Sequence, residues 1–207
     1  MLGHVLSIKS KQTMTISMRL LMVVGLSVLL SACASNRKPP AQPDNMCAIF
    51  KEKPSWHKAA IKSEEKWRVP PQILMAIIYH ESGFRHDAQP PRRWFLGFIP
   101  RGRASSAYGY PQAKDEVWSD YKRENSSFAS RSNMADALDF VGWYSDKSQR
   151  LNGVSKWDAY HLYLNYHEGW GGYRRGTYRN KAWLLRVASA VQARSERYGA
   201  QYAHCRP

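Results

Sequence analysis

The sequence predicts a mainly helical single domain behind an N-terminal leader and a short proline-rich tether. Apolar residues recur at helical spacing through most of the chain, whereas the alternating pattern typical of strands is almost absent. One polar, proline-rich stretch, residues 34–43, follows the leader, and no internal repeat or second linker comes after it. We therefore divide the chain into a leader (1–32), a tether (33–45) and one domain (46–207), whose roughly 160 residues suffice for a core of its own.

The predicted helices cover residues 55–67, 72–82, 133–149, 155–166 and 178–198. Prolines in the first turn and Gly83 after the last turn bound the second of these helices. Ser155 with Asp158 resembles a capping box at the start of the fourth. The glycine-rich segment 168–176 is interpreted as a turn that leads to the last helix.

The leader has the pattern of a bacterial export signal. Three basic residues precede an apolar run over residues 20–30, which is too short to remain as a transmembrane helix. The run ends in the sequence LSAC, which resembles the lipobox of bacterial lipoproteins, so that Cys33 would be acylated. The alternatives are an ordinary signal peptide and a buried core helix. Ala34 stands where an aspartate often signals inner-membrane retention, and the expected location is therefore the outer membrane, facing the periplasm.

Two cysteines remain if Cys33 carries lipid. Cys47 and Cys205 lie at opposite ends of the predicted domain. In an oxidising compartment we expect a disulfide between them, and two separate buried thiols are the alternative.

The chain is strongly basic. Its 31 Lys and Arg exceed its 16 Asp and Glu, and three of the basic residues lie in the leader, which leaves a net charge of +12 beyond it. A basic protein is attracted to polyanions. Because an export signal argues against nucleic acid, the candidate partners are peptidoglycan carboxylates, acidic wall polymers and phosphorylated lipid headgroups.

One acidic residue stands out from its helix. Leu74, Ile77, Ile78 and Glu81 are spaced i, i+3, i+4 and i+7, so Glu81 continues the apolar stripe instead of lying on the solvated face. Its place in the last turn, near the negative end of the helix dipole, also disfavours the anion. Both effects raise the pKa of a carboxyl, as a general acid requires. A partly buried Glu paired with a nearby arginine is the structural alternative.

Three short segments add to this pattern: ESGFR (81–85), SAYGYPQ (106–112) and YHEG (166–169). In this order and spacing they resemble the soluble lytic transglycosylase family, relatives of goose-type lysozyme, whose motifs are E-S-x-F, G-A-x-G-L-M-Q and A-Y-N-A-G. The resemblance covers roughly residues 56–198 and implies a lysozyme-like helical domain. Tyr110-Pro111 and His167-Glu168 depart from the family pattern.

The resemblance implies a role for each matching residue. Glu81 matches the catalytic acid/base, and Tyr166 matches the tyrosine that hydrogen-bonds it. The other residues expected to bind substrate are Ser82, Ala107, Gly109, Gln112 and Gly169. An alternative register of the third motif places Asn165 on its asparagine and leaves Leu164 where the tyrosine belongs.

The implied reaction is cleavage of the MurNAc-β-1,4-GlcNAc bond with formation of a 1,6-anhydro ring. One glutamate acts first as acid and then as base, and neither a metal nor a cofactor is needed. The histidines are scattered without the spacing of a metal site. One alternative is a hydrolytic muramidase on the same scaffold, with Glu168 or an aspartate positioning water. The other is a non-catalytic peptidoglycan-binding assembly lipoprotein, whose partner in an envelope machine would be unknown.

Residues 89–104 form a long predicted loop in which apolar and basic residues interleave. Three interpretations stay open: a lid packed on the core, arginines that border the sugar groove, and contact with a membrane surface.

Overall fold

Seven helices and one β-hairpin make up residues 38–205, the part of the chain that the structure, a computed structural model, describes. In chain order they are α1 (Met46–Glu52), α2 (Pro54–Trp67), α3 (Pro71–Ser82), β1 (Arg92–Phe95), β2 (Ile99–Arg103), α4 (Asp115–Glu124), α5 (Met134–Asn152), α6 (Ala159–Arg174) and α7 (Ala182–Tyr202). The predicted mainly helical fold class is confirmed. The predicted leader and Cys33 lie outside the described residues. None of the helices in this range is long and apolar enough to cross a bilayer.

Helix α3 is buried on nearly all sides. It packs against α2, α5, α6 and α7, and the six consecutive residues 73–78 are each at most 2% exposed. Such all-round burial is typical of a core helix. Pro71 lies in its first turn, and Gly83, with φ of 60°, ends it as predicted. The surrounding helices therefore fix the position of its last turn, which carries Glu81.

An aromatic cluster joins α4 to α5. Its rings belong to Trp118, Tyr121, Phe140 and Trp143. The side chain of Asn133 caps α5 by accepting from the amides of Ala135 and Asp136. Helix α4 was not predicted, because its ten residues contain few apolar positions and the two buried ones are aromatic.

Helix α6 differs from the prediction at both ends. Asp158 is the N-cap of α6, and its side chain accepts a hydrogen bond from the amide of His161 at 2.9 Å. The prediction of a capping box that begins at Ser155 is therefore wrong. The helix then continues to Arg174 through most of the segment interpreted as a turn. It is interrupted at Gly169, whose φ of 74° and ψ of 158° kink the chain. A glycine supplies this backbone without the strain of a side chain, so helix resumes after one residue.

The two ends of the domain are joined near α1 and the end of α7. Cys47 and Cys205 form a disulfide with an S–S distance of 2.06 Å and a Cα–Cα distance of 5.9 Å. The Arg194 guanidinium lies 2.7 Å from the Asp44 carboxylate, and the hydroxyl of Tyr198 donates to the carbonyl of Pro43. The last residues of the predicted tether are thus bound to the folded part.

Residues 92–103 form an antiparallel hairpin where a loop was predicted. Leu96 and Gly97, with φ of 53° and 79°, make its turn. Every residue of both strands is exposed, so the first of the three interpretations, a lid packed on the core, is wrong. Neither face of the hairpin is covered by protein, and its strands lack the apolar–polar alternation of half-buried strands. The sequence pattern therefore did not predict them.

Candidate active site

A pocket of about 420 Å³ opens beside the last turn of α3, and Glu81 lies in its wall. Side chains from α4, α5, α6 and the segment before α4 complete it. The other lining residues are Ala107, Gln112, Ala113, Lys114, Glu116, Val117, Phe140, Tyr144, Tyr166, His167, Glu168 and Gly169. The structure thus brings together residues from all three sequence motifs.

Burial raises the pKa of the Glu81 carboxyl to about 7. A hydrogen bond from the phenol of Tyr163 opposes this shift, because it stabilises the carboxylate. Aromatic and apolar side chains such as Phe140, Tyr144 and Val117 form the pocket wall around the acid. A carboxyl of this kind holds its proton close to neutral pH, and it is as ready to release the proton as to recover it.

The hydrogen-bond partner of Glu81 is Tyr163 and not Tyr166, which corrects the prediction. The hydroxyl of Tyr166 donates instead to the carbonyl of Pro111 at 2.5 Å. Both tyrosines lie on α6, one turn apart, so either could reach the end of α3. Tyr166 nevertheless lines the pocket, and its hydroxyl ties α6 to the segment that follows the second motif. Asn165 of the alternative register is buried and binds the carbonyl of His161.

The second motif forms a tight turn that aims Gln112 at the pocket. Gln112 has φ of 48°, and its side-chain amide donates to the carbonyls of Ala88 and Gly109. Gly109 is buried behind this turn and does not line the pocket. A Cβ at Gly109 would lie 2.2 Å from the carbonyl oxygen of Arg131, so only glycine fits. The structure thus places Gly109 in a supporting position and Gln112 in the wall.

Ser82 is turned away from the pocket. Its side chain is buried, and its hydroxyl donates to the carbonyl of Ile78 in the preceding turn at 3.1 Å. The expected contact of Ser82 with substrate is therefore absent from this arrangement. The hydroxyl of Ser82 is therefore hydrogen-bonded within α3, next to Glu81.

Glu168 lies in the same pocket but in a different electrostatic setting. Its side chain is 4% exposed, and burial by itself raises the pKa of this carboxyl. Lys181, 2.7 and 2.8 Å from its two oxygens, more than compensates, together with Thr177 and His167, and lowers the pKa to about 2. Glu168 therefore stays ionised where Glu81 is protonated, and the two carboxyls are not interchangeable.

Several wall residues carried no signal in the sequence. Phe140 and Tyr144 belong to the apolar stripe of α5, where a pocket residue is indistinguishable from a core residue. Lys114 and Glu116 lie two and four residues after the second motif, and this proximity was the available indication that they line the pocket. Among residues 38–205, no three His, Cys, Asp or Glu side chains are grouped so as to hold a metal ion.

Residues 21–205 match the protein family described as the transglycosylase SLT domain. The match spans most of the chain and includes the Glu81 pocket. No curated protein matches the chain, and no solved structure matches it.

Proposed function

This chain belongs to the transglycosylase SLT family, and from that premise we propose that it is a peptidoglycan lytic transglycosylase. The family acts on peptidoglycan in the cell envelope. The proposed reaction cleaves the MurNAc-β-1,4-GlcNAc bond and leaves a 1,6-anhydroMurNAc end. The observation that carries the proposal is the carboxyl of Glu81, whose pKa of about 7 results from burial in the wall of this pocket.

In the proposed first step, protonated Glu81 donates its proton to the glycosidic oxygen as the bond to the MurNAc anomeric carbon breaks. The GlcNAc side leaves as an alcohol, and the substrate's acetamido group stabilises the cationic centre. In the second step the Glu81 carboxylate takes the proton of the MurNAc 6-hydroxyl, whose oxygen bonds to the anomeric carbon. The acid is regenerated and no water is consumed. The phenol of Tyr163 supports the ionised state between the two steps.

The surroundings of Glu168 support a one-carboxylate mechanism. Glycosidases with two carboxyls need the second one free to attack the sugar or to activate water. Glu168 is instead held by Lys181 and Thr177, and a carboxylate with a pKa of about 2 is a weak base. Gln112, Tyr166 and Gly169 are proposed to contact the glycan from the remaining wall, and Ala107 leaves room for it.

Glu116 favours the hydrolytic alternative, because it also lines the pocket and is exposed to solvent. A muramidase would use such a carboxylate to orient a water molecule. Mass spectrometry of digested sacculi separates the possibilities. The proposal requires 1,6-anhydro ends. Reducing ends would assign the chain to the hydrolases, and unchanged sacculi would leave a binding protein.

We also propose that Cys33 carries the lipid anchor and that the domain faces the periplasm from the outer membrane. The support is the LSAC sequence after the apolar run and the Cys47–Cys205 disulfide, which suits an oxidising compartment. Cys33→Ala should move the protein from the membrane fraction to the soluble periplasm. Unchanged fractionation would contradict the anchor without affecting the proposed chemistry.

A further inference from the structure

The tip of the β1–β2 hairpin exposes five large apolar side chains within six consecutive residues. They are Trp94 (56% exposed), Phe95 (46%), Leu96 (68%), Phe98 (70%) and Ile99 (43%). Single exposed apolar residues are ordinary, but a contiguous group at the end of a projecting hairpin indicates a surface with a partner. From Phe95 to Ile99 no side chain carries a hydrogen-bonding group, so the partner must itself be apolar.

Arginines surround the base of the same hairpin. Arg92 pairs with Arg103 across the strands and Arg93 pairs with Arg101, so two like-charged pairs face each other directly. Such pairs destabilise a hairpin that is left in water. The segment 89–104 contains no Asp or Glu to neutralise them. An anionic surface would lower the repulsion between these arginines, because it supplies the negative charge that the segment lacks.

The order of these groups along the hairpin matches a lipid–water interface. At about 3.3 Å per residue, Leu96 lies roughly 10 Å from Arg93 and roughly 13 Å from Arg92 along β1. Amphipathic segments bury their apolar face roughly 5–10 Å deep at the headgroup boundary. A tip in the acyl region would therefore leave the arginines level with the phosphates, to which guanidinium groups bind as bidentate donors.

A glycan strand fits this surface less well. Sugars present hydroxyl and amide groups, and from Phe95 to Ile99 no side chain can hydrogen-bond to them, so this segment could contact only the C–H faces of the rings. Nor does any residue of the hairpin line the Glu81 pocket. We propose that residues 92–103 insert their apolar tip into the surface of an anionic phospholipid bilayer while the four arginines bind lipid phosphates. This inference is independent of the chemistry at Glu81.

A fluorescent probe on the hairpin tests the insertion directly. With Cys47 and Cys205 joined and Cys33→Ala as the background, Leu96→Cys is the one free thiol of the full chain and takes an NBD label. The probe reports its own surroundings, whatever else holds the chain to a vesicle. We expect a several-fold rise in emission, a blue shift, and quenching by brominated lipids on vesicles of phosphatidylethanolamine and phosphatidylglycerol.

The control carries the label at Phe128→Cys, since Phe128 is 96% exposed and lies outside the hairpin. It should stay in water, and replacing Arg92, Arg93, Arg101 and Arg103 by Gln should abolish most of the response at position 96. An unresponsive tip on vesicle-bound protein would overturn the proposal, as would an equal response at position 128. A response to soluble glycan strands but not to vesicles would assign the hairpin to substrate. An undiminished response in the Gln variant, or on phosphatidylcholine alone, would overturn the role of the arginines.

Discussion

At Glu81 two opposing influences act on one carboxyl: burial favours the protonated acid, and the phenol of Tyr163 favours the anion. The sequence predicted the first influence, because Glu81 continues the apolar stripe of its helix. It could not predict the second, because which of two tyrosines one turn apart reaches the acid depends on the rotation of α6 against α3. The motif match indicated Tyr166, whereas in the structure the hydroxyl of Tyr166 donates to the carbonyl of Pro111.

The pH dependence of cleavage follows from the pKa of about 7 at Glu81. The reaction begins from the protonated acid, so kcat/KM should be constant below this pKa and fall about tenfold per pH unit above it. Initial rates on purified glycan strands at constant ionic strength measure the profile. A rate that rises through neutral pH and stays high in alkali would contradict an acid at this position.

Stability should respond to pH through the same group. Because the pKa of Glu81 is raised on folding, the native state holds its proton between about pH 4.5 and 7, where the unfolded chain has lost it. The destabilisation is thus absent below about pH 4.5 and complete above about pH 7. Glu81→Gln should raise Tm relative to wild type at about pH 8 and leave it nearly unchanged at about pH 4. An equal effect at both values would argue against a desolvated carboxyl that titrates near neutral pH.

Tyr163→Phe removes a hydrogen bond to a charged group, typically worth about 1.5–3 kcal/mol. At about 1.4 kcal/mol per pKa unit, the alkaline limb of the rate profile should move upward by roughly one to two units. Tyr166→Phe is the matched control: it should leave this limb in place and lower Tm slightly, because the carbonyl of Pro111 loses its donor. The reverse result would restore the register inferred from the sequence.

At the scale of elements, the prediction succeeded where apolar residues at helical spacing are bounded by clear end signals, as in α3 and α5. It failed where tertiary context overrides local signals. Glycines usually end helices, yet in α6 a single kink at Gly169 absorbs the interruption and the helix continues. The hairpin escaped prediction because its strands are covered on neither face.

The turn of the second motif offers a test at this scale. Gly109→Ala places a Cβ against the backbone carbonyl of Arg131, which cannot move cheaply. We expect a loss of about 1–3 kcal/mol from this overlap, in addition to roughly 1–2 kcal/mol for a left-handed Ala. Gly83→Ala is the control, because Gly83 has φ of +60° and an added Cβ would have nothing within 4 Å. This change should lower the free energy of unfolding only by the cost of the left-handed Ala backbone. Equal losses in denaturant titrations would show that the turn has room.

At the scale of the whole molecule, the disulfide closes a loop with a sequence separation of 158 residues. Replacing Cys47 and Cys205 together by Ala should lower the free energy of unfolding by roughly 2–5 kcal/mol. Activity well below Tm should persist, since neither cysteine lines the pocket. Reductant should destabilise the wild type and leave the variant unchanged. The number of cysteines and the expected compartment predicted this pairing. The contacts of Asp44 and Pro43 with α7 could be recognised only from the structure.

The measurement that tests the account most directly compares Glu81→Gln with Glu116→Gln on purified sacculi, with 1,6-anhydro muropeptides counted by mass spectrometry. Both residues line one pocket, and both changes are nearly isosteric. If Glu81 alone transfers the proton, its replacement should reduce product by about 10²–10⁴-fold, while Glu116→Gln stays near wild type. Melting curves at acidic pH establish that both variants are folded. A folded Glu81→Gln enzyme within a few-fold of wild type, or an equal loss in Glu116→Gln, would contradict a single acid/base.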